Sequence, residues 1–121
     1  MNRAIALAGA VALLAVPAAA HHSYSMFDMN KTVAMQATIV RFKWQNPHSF
    51  ILADVEAPGG KESWAIEMTA PANLVQEGWK RTSLKAGDKV TIWVHPLRSG
   101  AKGGSYAGVK LANGSTLGDT E

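Results

Sequence analysis

Thr32-Val33-Ala34-Met35-Gln36-Ala37-Thr38-Ile39-Val40-Arg41-Phe42-Lys43-Trp44 is a long β-rich stretch whose apolar phase changes midway. Val33, Met35, Ala37 and Ile39 share one parity, and Val40, Phe42 and Trp44 take the other. Successive side chains of a strand point to opposite faces, so one straight strand would put half of this set in water. A bulge or sharp bend at Ile39–Val40 keeps both halves on the core side. The chain therefore starts its fold with one long, bent strand.

Asn46-Pro47 turns the chain, and a second strand follows over Ser49–Glu56, with Ile51, Ala53 and Val55 on one face. Ala57-Pro58-Gly59-Gly60 is a hairpin connection to a third strand over Lys61–Met68, where Trp64, Ile66 and Met68 alternate with Ala65 and Glu67. Pro71 suits a first helical position and Gly78 a stop, which gives about two turns with Leu74 and Val75 docking on the core. Gly87-Asp88 leads into a fourth strand, Lys89–Leu97, with Val90, Ile92 and Val94 inward. Arg98–Ser105 reads as a Gly-rich flexible hairpin loop, and Tyr106–Ala112 as a fifth strand. Asn113-Gly114 is a type I′ signal before a short return at Ser115–Leu117. The order β-β-β-α-β-β with a bent first strand predicts an all-β domain with one short helix, a five-stranded OB-fold-like Greek-key barrel. An SH3-like barrel, the main rival, normally lacks the helix.

The 121 residues hold about one domain, with a net charge of +3 and no cysteine. Met1-Asn2-Arg3 is a short positive region, Ala4–Val16 is an apolar run, and Ala18-Ala19-Ala20 after Pro17 is a small-residue A-x-A site. This is a cleavable export signal over residues 1–20, too short and alanine-rich for a stable spanning helix. The expected destination is a bacterial periplasm, with no stable membrane span after cleavage. The expected layout is a signal peptide (1–20), an extended arm (21–31) and a barrel domain (32–121). Without cysteine there is no disulfide framework, thiolate site, CxxC pair or haem attachment motif. OB barrels often bind nucleic acid, but export removes that partner, and a mature charge of about +2 is weak for it.

Six motifs recur in a fixed order: HHSYSMFD at His21–Asp28, WQNPH at Trp44–His48, WAIE at Trp64–Glu67, GW at Gly78-Trp79, LKAGDKV at Leu84–Val90 and HPLRSG at His95–Gly100. In that combination the chain resembles a family of short exported bacterial proteins known only as domain of unknown function 6152. The resemblance covers essentially the whole mature chain. It implies a periplasmic β-barrel and brings no assigned activity.

The chemistry-bearing residues are the histidines His21, His22, His48 and His95. No nucleophilic triad and no phosphate-binding loop is readable. Cleavage after Ala20 makes His21 the first residue, so its α-amine and imidazole can chelate one Cu(II). Cleavage one or two residues earlier places His22 or His21 third, a position that completes a square-planar set for Cu(II) or Ni(II). The plain alternative is a polar start with no ligand. Pairing Glu56 with Lys61 across the hairpin sets Ile51 against Ile66, Ala53 against Trp64, Phe50 against Glu67 and His48 against Thr69. His48 and Glu67 become diagonal neighbours on the outer face, roughly 7 Å apart at the backbone. They could share a metal, or form a surface pair contributing less than about 1 kcal/mol. His95 also points outward; in an OB barrel the fourth strand runs antiparallel to the first, which puts His95 at the barrel end where the first strand begins, away from His48. Met26 and Met29 could ligate soft Cu(I), although apolar anchoring of the arm beside Phe27 is the simpler role. The expected metal set is thus His21, His22, His48, Glu67 and His95, with copper as the expected ion. The alternative is a metal-free module that binds a periplasmic protein or small ligand. A copper oxidase or oxygenase would need a substrate surface, which no motif locates.

Overall fold

The computed structural model describes residues 24–121. The expected signal peptide and both His21 and His22 lie outside the described residues. Six strands run as β1 (Val33–Lys43), β2 (Phe50–Ala57), β3 (Gly60–Glu67), β4 (Lys89–Pro96), β5 (Gly103–Lys110) and β6 (Thr116–Gly118). A short helix, α1 (Pro71–Gln76), lies between β3 and β4. The sheet order is β3-β2-β1-β4-β5-β6, and an additional β3–β5 pairing closes it. All neighbouring strands are antiparallel except β3 and β5, which are parallel. This is a closed five-strand mixed barrel of OB type, with β6 as a short appendage.

The phase change in β1 is a bulge: Ile39 pairs with Ala53 and Arg41 with Leu52, which leaves Val40 as the extra residue. Val40 is 50% exposed while Ile39 is buried and Phe42 packs on the core. The bulge is what lets one strand serve both β2 and β4. The β2–β3 hairpin has the expected register, with Ile51 opposite Ile66, Ala53 opposite Trp64 and Phe50 opposite Glu67. Ile51, Ile66, Ile92, Val94 and Val109 form the barrel interior and are fully buried.

Helix α1 closes one end of the barrel. Pro71 sits in its first turn, and Gly78, at φ 96°, ends it. Gly78 N–H donates to the Val75 carbonyl and Trp79 N–H to the Leu74 carbonyl, a Schellman stop. The two residues joined by the second of these bonds, Leu74 and Trp79, are both buried. Val75 is 58% exposed, so only Leu74 docks. The expectation for Val75 fails because two turns give the core a stripe only one residue wide. Trp79 packs edge-on to Tyr106 at 5.4 Å, and its Nε1–H donates to the Tyr106 hydroxyl at 3.1 Å.

Two further expectations are corrected at β5. Gly103 and Gly104 are not loop residues: they are buried and carry the barrel closure, opposite Ala65 and Ile66 of β3. A Cβ on Gly104 would stand 2.7 Å from the His95 carbonyl oxygen, and one on Gly103 would stand 3.0 Å from that of Ala65. Glycine here permits close backbone approach rather than flexibility. The turn at Asn113-Gly114 is not type I′, because only Gly114 has a positive φ and that type needs two.

Candidate functional site

Because β5 joins β3 to β4, one row of residues crosses three strands. Glu67 pairs with Ser105 across the parallel seam, and Ser105 pairs with His95 across the antiparallel one. Paired residues in a sheet project to the same side, so Glu67, Ser105 and His95 share the outer face. His48 joins from the turn before β2, where Ser49 N–H donates to the Thr69 carbonyl and Met68 N–H to the Ser49 carbonyl. His48 and Glu67 are brought together, with Nδ1 and Oε1 3.6 Å apart. His95 lies near the start of β1, as expected, yet it lines the same groove as His48 and Glu67. The expectation that it lies away from His48 fails, because the β3–β5 seam sets Glu67 and His95 opposite the same β5 residue, Ser105.

The groove has a volume of about 730 Å³. Its floor is the Glu67–Ser105–His95 row, one wall is the end of α1 with Glu77, and the arm supplies Tyr24, Phe27 and Met29. The arm is fastened along the end of β4. Asp28 N–H donates to the Pro96 carbonyl, Arg98 N–H to the Met26 carbonyl, and Arg98 Nε–H to the Ser25 carbonyl. Phe27 is the apolar anchor at 4% exposure, whereas Met26 and Met29 are 42% and 44% exposed. Anchoring is therefore the work of Phe27, not of the methionines. The arm, expected to be extended, instead forms one turn of 3-10 helix at its first described residues, Tyr24–Met26.

Both imidazoles are held at Nδ1 by a backbone carbonyl. His48 Nδ1 lies 3.0 Å from the Met68 carbonyl oxygen, and His95 Nδ1 lies 2.8 Å from that of Lys31. A carbonyl only accepts, so Nδ1–H is the donor in each contact, which leaves Nε2 as the ring atom that can offer a lone pair to a metal. This is the arrangement that metal-ligating histidines use to hold the ring and raise its basicity. The 3.6 Å contact of His48 Nδ1 with Glu67 is too long for a hydrogen bond. Glu67 Oε1 is buried and accepts no hydrogen bond among the described residues. A desolvated carboxylate oxygen beside an imidazole favours a cation or a donor nearby.

The charge lining agrees. Among the described residues two carboxylates, Glu67 and Glu77, face the groove and no lysine or arginine does, although the chain is basic overall. Tyr106 stays a neutral phenol: burial pushes it up to about 12, against the Trp79 hydrogen bond and with help from the Glu77 charge. Among the described residues no three histidine, aspartate or glutamate side chains converge closely enough to hold a metal. A second hollow lies over Val40, Leu52, Trp64 and Lys102, where Lys102 pairs with Glu62 at 3.2 Å. Among the described residues no histidine lines it.

Fold and site together define a small closed OB-type barrel with an imidazole–carboxylate groove at the end where its N-terminal arm is fastened. The chain belongs to a family of unknown function (DUF6152), whose model matches residues 8–107. No significant match was found among curated proteins or solved structures.

Proposed function

We propose that this chain is an exported periplasmic protein that binds one copper ion at its mature N-terminus, completed by the groove. The observation that carries the reading is the pair of imidazoles with Nδ1 tied to carbonyls, His48 and His95, in one cation-attracting groove. The arm that enters this groove leads back to His21 and His22. Tyr24 lines the groove, and three residues of chain reach at most about 10 Å, so His21 is within range of it.

In this reading the His21 amine and imidazole form the primary chelate, and His22 is a possible second donor. His48 or His95 adds an Nε2 nitrogen, and Glu67 acts as a weak ligand or orients His48. A nitrogen-rich set without thiolate suits Cu(II). The α-amine titrates near 8, so copper must displace a proton from it. A second reading, a metal-free module for a periplasmic protein or small ligand, is supported by the groove volume of about 730 Å³, which falls in the range of ligand pockets.

Intact mass and metal content of natively exported protein test the proposal together, because they fix the terminus and the occupant. A terminus at His21 with one equivalent of copper and a nitrogen-dominated Cu(II) EPR spectrum is the expected result. His21→Ala should abolish the tight site. A cytoplasmic form retaining Met before His21 should bind more weakly, because its amine is displaced. Equal affinity of the cleaved and Met-extended forms overturns the N-terminal chelate. No binding by either form leaves the metal-free module.

A further inference from the structure

We propose that the groove also holds Cu(I), with the Met29 thioether as the soft ligand; this rests on the copper reading above and extends it to the second oxidation state. Met29 stands at the apex of a turn whose ends are both fixed. Asp28 N–H donates to the Pro96 carbonyl at 2.8 Å, Lys31 N–H donates to the Asp28 carbonyl at 3.1 Å, and the Lys31 carbonyl accepts from His95 Nδ1. The same turn therefore presents the thioether and sets the ring of His95.

Met29 lines the same groove as His48 and His95, at 44% exposure. An unbranched apolar side chain so exposed contributes little core packing, and the adjacent Phe27 already anchors the arm. A thioether is a soft donor that selects Cu(I), and imidazole accepts both copper states. Without cysteine, methionine is the chain's only soft ligand type. Met26 supplies an internal control: it has nearly the same exposure, in the same arm, but does not line the groove.

The test uses natively exported protein, loaded with Cu(I) anaerobically with ascorbate as reductant, in competition with bathocuproine disulfonate. Met29→Leu keeps the volume and should weaken Cu(I) about tenfold or more, a change of about 1.4 kcal/mol. Its Cu(II) affinity should stay within about twofold, and Met26→Leu should alter neither. X-ray absorption of the Cu(I) form should show a sulfur shell that Met29→Leu removes. Unchanged Cu(I) affinity in Met29→Leu, or an equal loss of both oxidation states, overturns the assignment. Wild-type protein that binds Cu(II) but not Cu(I) overturns this inference alone. Protein that binds neither removes the copper reading and this inference with it.

Discussion

Replacing Gly104 by alanine probes the closing seam on which both fold and groove depend. The added Cβ would stand 2.7 Å from the His95 carbonyl oxygen and 3.0 and 3.1 Å from Val94 Cβ and Cγ2. These neighbours are backbone and a branched β-carbon, so neither can rotate away, and β4 and β5 must part by several tenths of an ångström. Gly104 has no positive φ, so the conflict is steric and not conformational. Overpacking against backbone sits at the upper end of its usual range, about 2–3 kcal/mol, and the smaller unfolded-state entropy of alanine offsets about 0.4–1 kcal/mol of it, which leaves about 1–2.5 kcal/mol. For a domain of this size the melting temperature should fall by roughly 5–15 °C. Gly59→Ala is the matched control, because a Cβ there meets nothing within 4 Å and it should be neutral or slightly stabilising. Thermal denaturation followed by circular dichroism measures both. Melting of Gly104→Ala within a degree or two of wild type would refute the close approach of β4 and β5 at the seam.

Three other outcomes are expected. Leu74→Ala, at a fully buried site, should cost about 2–5 kcal/mol, whereas Val75→Ala should stay within about 0.5 kcal/mol; chemical denaturation separates them. Tyr106 titrates at about 12 in the folded protein against 10.0 for an ordinary tyrosine. The folded state therefore holds this proton more tightly, so stability should fall as pH rises from about 10 to about 12, and Tyr106→Phe should flatten that slope while leaving Trp79 Nε1–H without its acceptor. Glu67→Gln keeps the shape of the His48 partner and removes its charge. On the copper reading it should weaken copper about tenfold by isothermal titration, with little change in melting temperature.

The sequence was most legible where period-2 alternation meets a turn of known chemistry. The β2–β3 register follows from Pro58-Gly59 and from the agreement of Ile51, Ala53, Trp64 and Ile66, and that register puts Glu67 beside His48. The bulge at Val40 is visible because it inverts the apolar phase of β1. Gly103-Gly104 misled for a physical reason. Glycine has no side chain with which to show alternation, so a strand that needs it for backbone contact reads like a loop. Val75 misled because two turns of helix do not define which of two adjacent apolar residues faces inward. The convergence of His95 with His48 and Glu67 depends on closure and strand stagger, which no local pattern encodes.

That convergence also explains why the barrel alone assembles no three-donor cluster among the described residues. Through β2 and β1, the ends of β3 and β4 are three strand spacings apart, about 14 Å; through β5 they are two, about 10 Å. Between Glu67 and His95 the intervening residue is Ser105, which is small and buried, so the floor of the groove stays low there. Two side chains that face each other across about 10 Å can approach a common ion from either side, but they do not touch one another. An ion above Ser105 then needs further donors from the open side of the groove. The arm passes that side, and on the copper reading its leading residues supply them. Fastening by Asp28 N–H, Arg98 and the Phe27–Leu97 bridge holds the arm there before any ion arrives. The ordering entropy of the segment from Tyr24 onward is thus met in folding rather than at ion binding.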